Sequence, residues 1–300
     1  MLTDIASDVS TGLERDGIAV LQNFLTADQL QGMRTAFDAR LGHLRWNDMD
    51  GYEKERFRHV IEDVLTLDQG FIDAALHPLV KETLREYLGE RYQLVEAKGW
   101  RSLPTRRDFH GWHGDAWYDQ TKVQHIPREV KLALYLTDVH SGFFEYVKGS
   151  HQKQAPHRVP NRQLEDVAES TIVQVKAPAG TAFMFDTSGI HRQSVPILER
   201  RSAVFYNYHD SSIPLQKEDI DYYRYHPLLL NAAFLGNLGS EDYRILGFGD
   251  KQNYFHAFSR REKYPRLRRT FETALAATVA WDSLAERIRA RIRKTVGVPL

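Results

Sequence analysis

The sequence predicts a mainly β fold with flanking helices, built around a jelly-roll core. Three observations lead there. Between residues 91 and 210 short runs of β-branched and aromatic residues recur, separated by Gly, Pro, Asn or Ser. About eight such runs are present, the number and spacing of a jelly roll. On either side the pattern changes to the three-and-four spacing of amphipathic helices. The 300 residues are read as one domain in three parts: a helical part over 1–90, the β core over 91–210, and a helical C-terminal extension over 211–300.

In the first part, Gly17–Leu21 is a short apolar run that fits a strand. A helix follows. Thr26 can accept from the amide of Gln29 while the Gln29 side chain reaches back, and Leu25 can pack on Leu30. Leu30, Met33, Phe37, Leu41 and Leu44 then share one helical face. A second helix is expected from Pro78, a favourable first-turn residue, with Val80, Leu84 and Leu88 on one face and Gly89 at its end.

The strands expected in the core are Tyr92–Ala97, Phe109–Asp115, Val130–Val139, Phe143–Val147, Ile172–Val175, Thr181–Phe185, His191–Pro196 and Arg201–Tyr208. In the last part Leu267, Phe271, Leu275, Thr278, Trp281, Leu284, Ile288 and Ile292 form an apolar stripe opposite an arginine-rich face. That face reads first as a solvated surface and second as a docking face for an anionic partner.

Composition narrows the chemistry. Lys plus Arg equals Asp plus Glu at 40 each, so no bulk charge points to nucleic acid. The chain has no cysteine, which removes disulfides, thiolate metal sites and cysteine nucleophiles. No apolar run is long enough to insert into a membrane, and no signal-peptide core opens the chain. The expectation is a cytoplasmic protein acting on a small molecule, without nucleic acid or membrane insertion, and with room for a homodimer.

With sulfur excluded, a transition-metal site must draw on His, Asp or Glu. In His113-Gly114-Asp115 the first and third residues share one face of an extended chain. An imidazole and a carboxylate side by side are two ligands of the 2-His-1-carboxylate triad. Taken alone, the tripeptide reads first as a surface turn or a plain His–Asp hydrogen bond. A third ligand must come from elsewhere, and His191 follows an apolar strand and a short glycine-containing loop. Ten residues later Arg201 opens another strand. Its guanidinium suits bidentate pairing with a carboxylate, or it is a rim arginine beside Glu199.

The order His-x-Asp, about 75 residues, His, ten residues, Arg resembles the phytanoyl-CoA dioxygenase family. Glu14–Leu25, Leu134–Asp138 with Gly142 and Val147–His151, and Gly180–Asp186 resemble further segments of that family in the same order. The resemblance implies a double-stranded β-helix of jelly-roll or cupin-like type. It also implies iron(II) on His113, Asp115 and His191, with 2-oxoglutarate and O2 as co-substrates and Arg201 on the distal carboxylate. The activity implied is oxidation of a small molecule (hydroxylation, desaturation or cyclisation) with release of succinate and CO2. Asp115 stands where halogenating relatives lack a carboxylate. The family's serine two residues after the second histidine is missing, and either Gln193 or Ser194 takes its part.

Lys98 and Arg101 precede the metal segment, and Trp117, His110 and Tyr118 flank it. Together they suggest an anionic or sugar-like substrate, or else ordinary rim charges and core aromatics. Two other readings stay open from sequence: a zinc hydrolase or isomerase using the same three ligands, and a non-catalytic β-barrel binding module.

Overall fold

A computed structural model describes residues 2–22, 24–42, 55–115, 128–152, 169–210 and 228–248, with scattered helical positions between 270 and 291. The chain divides into two compact units, residues 1–258 and 259–300.

In the first unit the elements are α1 (Leu2–Asp16), β1 (Ile18–Leu21), α2 (Ala27–Gly42), β2 (Arg58–Ile61), α3 (Gln69–Ala75), α4 (Pro78–Leu88), β3 (Tyr92–Ser102), β4 (Glu129–Tyr135), β5 (Val139–Val147), β6 (Ile172–Ala177), β7 (Ala182–Asp186), β8 (His191–Gln193), β9 (Arg201–Asp210) and α5 (Ser240–Ile245). Two antiparallel sheets result. The larger has the order β1-β7-β4-β9-β3-β2 and the smaller β6-β5-β8. Apart from β2–β3 and β5–β6, the paired strands are distant in sequence, and two such facing sheets make the jelly-roll architecture.

Side-chain alternation splits the large sheet into two faces. On its outer face Leu132, Met184, Val204, Tyr206 and Tyr208 join Met33, Phe37, Val80 and Leu84 from the helices in one core. On its inner face Ala133, Tyr135, Phe183, Phe185 and Ala203 meet Phe144, Tyr146 and Val175 of the small sheet in a second core. The functional residues lie on this inner side.

The helix signals act as expected. Thr26 N donates to Gln29 Oε1 at 3.0 Å and Gln29 N to Thr26 Oγ1 at 3.3 Å, so α2 opens on a capping box. α4 starts on Pro78 and ends at Gly89, whose φ is 87°. His77 caps α4, its Nδ1 accepting from Leu79 N at 3.2 Å. Three elements escaped the sequence reading: α1, β2 and α3. One expected strand is absent. Phe109–Asp115 is irregular and meets the small sheet where His113 bridges to His191.

Leu228, Leu230, Phe234 and Leu235 pack on the outer core, and Lys81 pairs with Asp242 at 2.8 Å. In the second unit the described positions are helical, and Trp281, Leu284 and Ile288 of the expected stripe are exposed. Its other apolar positions lie outside the described residues. No described helix is long and apolar enough to cross a membrane.

Candidate metal centre

Backbone pairing brings the two distant segments together. His113 N donates to His191 O at 3.0 Å and His191 N to His113 O at 2.8 Å, while Asp115 N donates to Thr187 O at 2.7 Å. Each histidine ring is then turned by the carbonyl two residues before it. His113 Nδ1 lies 2.9 Å from Gly111 O, and His191 Nδ1 lies 2.8 Å from Gly189 O. A carbonyl only accepts, so each Nδ1 carries the proton and each Nε2 presents its lone pair. Gly189 is required here, because a Cβ at that position would sit 1.8 Å from Tyr146 Oη.

The two Nε2 atoms face Asp115. His113 Nε2 is 4.0 Å from Oδ1 and His191 Nε2 is 3.8 Å from Oδ2. One ligand atom from each of the three residues lies within 4.8 Å of the others, a group able to hold a metal ion. Burial, then the neighbouring His113, push the His191 pKa down to about 3 against the pull of Asp115. The imidazole is therefore neutral, the form that ligates. Phe185, Phe144 and Tyr146 surround it, with ring centroids at 5.1, 5.5 and 6.3 Å.

Lys131, which the sequence reading missed, reaches the triad from β4. Its Nζ lies 2.5 Å from Asp115 Oδ2. Burial opposes its charge, but Asp115, Glu129 and Glu96 outweigh burial and hold its pKa above the usual lysine value. The signal was available: a lysine set among Val130, Leu132, Ala133 and Leu134 in a buried strand must meet an anion.

Arg201 opens β9 on the inner face and is 5% exposed. Nη1 donates to Gly142 O at 2.6 Å, and the guanidinium lies 5.1 Å from the Tyr135 ring centre. Nε is buried with no hydrogen-bond partner among the described residues. Burial lowers its pKa. A buried guanidinium without a carboxylate is a costly arrangement that an incoming carboxylate relieves. Gly142, held at φ 61°, supplies the shared carbonyl. Gln193 Nε2 also donates to it, at 3.3 Å, and to Ser102 Oγ at 3.2 Å.

Gln193 and Ser194 are thereby separated. Gln193 is two residues from His191, on the same face, and shares its acceptor with Arg201. Ser194 is fixed through its backbone, donating to Phe143 O at 2.8 Å. Of the residues suggested for substrate, Lys98 is on the inner face, paired with Glu96 at 2.6 Å and Glu62 at 3.8 Å. His110 is exposed beside the triad, its ring centroid 5.4 Å from that of His113. Arg101 lies on the outer face of β3, over the Phe37 ring, bonded to Ser202 Oγ at 2.9 Å and paired with Asp38. Three positions separate it from Lys98, and an odd step along a strand reverses the face. Trp117 and Tyr118 lie outside the described residues.

The donor set suits both groups the resemblance implied. Two imidazoles and one carboxylate converge as in the facial triad of non-haem iron sites, and Arg201, which meets no carboxylate among the described residues, suits a dicarboxylate.

A family profile described as phytanoyl-CoA dioxygenase (PhyH) matches residues 13–193. No curated protein sequence matches the chain. Among solved structures, EctD from S. alaskensis with 2-oxoglutarate and 5-hydroxyectoine is similar, with TM-score 0.57 and 18% identity over 74% of this chain and 86% of that one. So is SnoN, the non-haem α-ketoglutarate-dependent epimerase from nogalamycin biosynthesis, with TM-score 0.53 and 17% identity over 69% and 84%. HygX from Streptomyces hygroscopicus with nickel and 2-oxoglutarate follows, with TM-score 0.52 and 18% identity over 69% and 87%. These likenesses show a shared fold. With more than half its length matched by the family profile, the chain belongs to the phytanoyl-CoA dioxygenase family of Fe(II)- and 2-oxoglutarate-dependent oxygenases.

Proposed function

We propose that this chain oxidises a small molecule, by hydroxylation, desaturation or cyclisation, with His113, Asp115 and His191 holding iron(II) and Arg201 holding 2-oxoglutarate. The observation that carries the reading is a convergent His-Asp-His group on the same inner side as a buried, unpaired guanidinium. Iron(II) and 2-oxoglutarate, when bound, supply the oxidising chemistry with O2 and yield succinate and CO2.

The chain's own residues do the rest. Three protein ligands on one side leave the opposite side of the site open to small molecules. Arg201 receives the distal carboxylate, with Gln193 beside it in the place of the family's serine. Lys131 holds Asp115 Oδ2, so the carboxylate is oriented before any ion arrives. Phe144, Tyr146 and Phe185 keep water away from His191. The carboxylate at 115 favours these oxidations over halogenation. The ligands named for similar structures, 5-hydroxyectoine and hygromycin B, support a small-molecule substrate.

An anaerobic titration of the metal-free chain with Fe(II) and then 2-oxoglutarate tests this, followed by succinate release in air. One equivalent of each is expected to bind, with turnover dependent on both. Stoichiometric zinc in the purified protein and no succinate with iron would instead support a hydrolase or isomerase.

A further inference from the structure

Two directions lead away from the triad over the inner face of the large sheet. One runs along the strands, from Lys131 past Ala133 and Phe205 to Tyr135 and Arg201, and on the reading above it belongs to the co-substrate. The other runs across the strands. Register pairs Lys131 on β4 with Asn207 on β9, and Asn207 with Glu96 on β3. Glu96 pairs with Lys98, and Lys98 reaches Glu62 at the end of β2.

This row faces inward, because the alternate residues Tyr206 and Tyr208 belong to the outer core. It is also reached by solvent: the side chains of Glu96 and Glu62 keep 15% and 16% of their exposure. The inner face therefore carries a polar row that starts at Lys131, the lysine that meets Asp115 of the triad. At its centre Asn207 is 5% exposed, and its Oδ1 is buried with no partner among the described residues. A buried acceptor left unpaired carries its full desolvation penalty, so the site is complete only when a donor arrives.

We infer that Asn207, with Glu96 and Glu62 beyond it, anchors the substrate through the substrate's own O–H or N–H donors, and that the substrate is a hydroxyl- or amine-bearing hydrophilic molecule. A fatty acyl chain laid across this row would press methylenes against two carboxylates, a lysine and an unpaired amide without compensation. The inference rests on the proposed iron and 2-oxoglutarate reading, which assigns the other direction to the co-substrate.

Equilibrium binding to the full chain loaded with Ni(II) and 2-oxoglutarate, a state without turnover, tests it. The probes are 2-deoxystreptamine and sorbitol on one side and decanoyl-CoA on the other, measured by titration calorimetry. At least one hydrophilic probe is expected to bind the unmodified chain and to bind about tenfold more weakly to Asn207→Leu, the loss of one buried hydrogen bond. The 2-oxoglutarate affinity of that variant is expected to stay unchanged. Binding of decanoyl-CoA in preference, binding of neither hydrophilic probe, or an unchanged affinity in Asn207→Leu overturns the inference. If that variant does not fold, the contrast between probe classes on the unmodified chain decides without it. Failure of the Ni(II)-loaded chain to bind 2-oxoglutarate removes the co-substrate reading, and this inference with it, before any probe is added.

Discussion

At the scale of single residues, Arg201 and Asp115 carry separable roles. Arg201 meets no carboxylate among the described residues, so its cost of burial is offset only when an anion binds. Truncating one member of such a buried charge pair costs about 2–5 kcal/mol. Arg201→Met is therefore expected to weaken 2-oxoglutarate by roughly 30-fold or more while leaving Ni(II) affinity nearly intact, both read by calorimetry. Asp115→Ala is expected to do the reverse in order, losing the metal first and the co-substrate with it. Equal loss of both ligands in both variants would mean that the two sites are not distinct. These residues were legible because their order, an i, i+2 pair and then a histidine and an arginine ten apart, resembles that of a known family; the spacing alone left other readings open. Lys131 was missed although its apolar strand neighbours signal it. The position of Arg101 was not legible, because the face a strand residue takes depends on parity counted from a known point, and β3 carries an irregularity between Leu94 and Glu96 that no composition rule reveals.

At the scale of elements, local chemistry was legible and pairing was not. The Thr26–Gln29 cap and the Pro78 start need only neighbours within four residues. β2 and the segment around His113 owe their conformations to partners far away in sequence, Ser102 to Gly99 for the first and His191 for the second. α4 provides a pH test of a local device. His77 caps the helix with a neutral Nδ1 and stacks at 4.7 Å on Phe24, and burial lowers its pKa. Protonation would remove the acceptor and set a cation at a helix N-terminus, where the dipole opposes it. The native state thus binds this proton less readily than the unfolded chain does. The His77 contribution is full above the unfolded value of about 6.5 and is lost as pH falls through that value toward the lower folded one. Stability from urea unfolding is expected to drop between pH 7 and 5. His77→Asn, which keeps a cap without titrating, is expected to flatten that part of the profile. An unchanged slope in the variant would assign the loss to other groups.

At the scale of the whole first unit, the proposed centre joins parts that the backbone connects only loosely. His191 comes from the small sheet, Asp115 from an irregular segment held by few backbone bonds, and Lys131 from the large sheet. An ion shared by the triad therefore ties the small sheet to the irregular segment, which Lys131 in turn joins to the large sheet, and this long-range closure had no local signature beyond the spacing of its ligands. Because the ligands are arranged only in the native state, metal binding must appear as stability. At a free ion concentration of 100 times Kd the gain is about 2.7 kcal/mol. For a domain of this size that corresponds to a rise in Tm of roughly 5–10 °C. Ni(II) added to the metal-free chain is expected to produce that shift in a thermal scan, and EDTA to reverse it. 2-Oxoglutarate is expected to add a further rise only when metal is present. Hydrogen exchange should slow in residues 109–115 and 191–193 more than in β6, which shares the small sheet but offers no ligand. In Asp115→Ala the metal-dependent rise should vanish. A rise of the same size in that variant would locate the ion elsewhere in the chain, and the three side chains would then be a hydrogen-bonded cluster with no metal to hold.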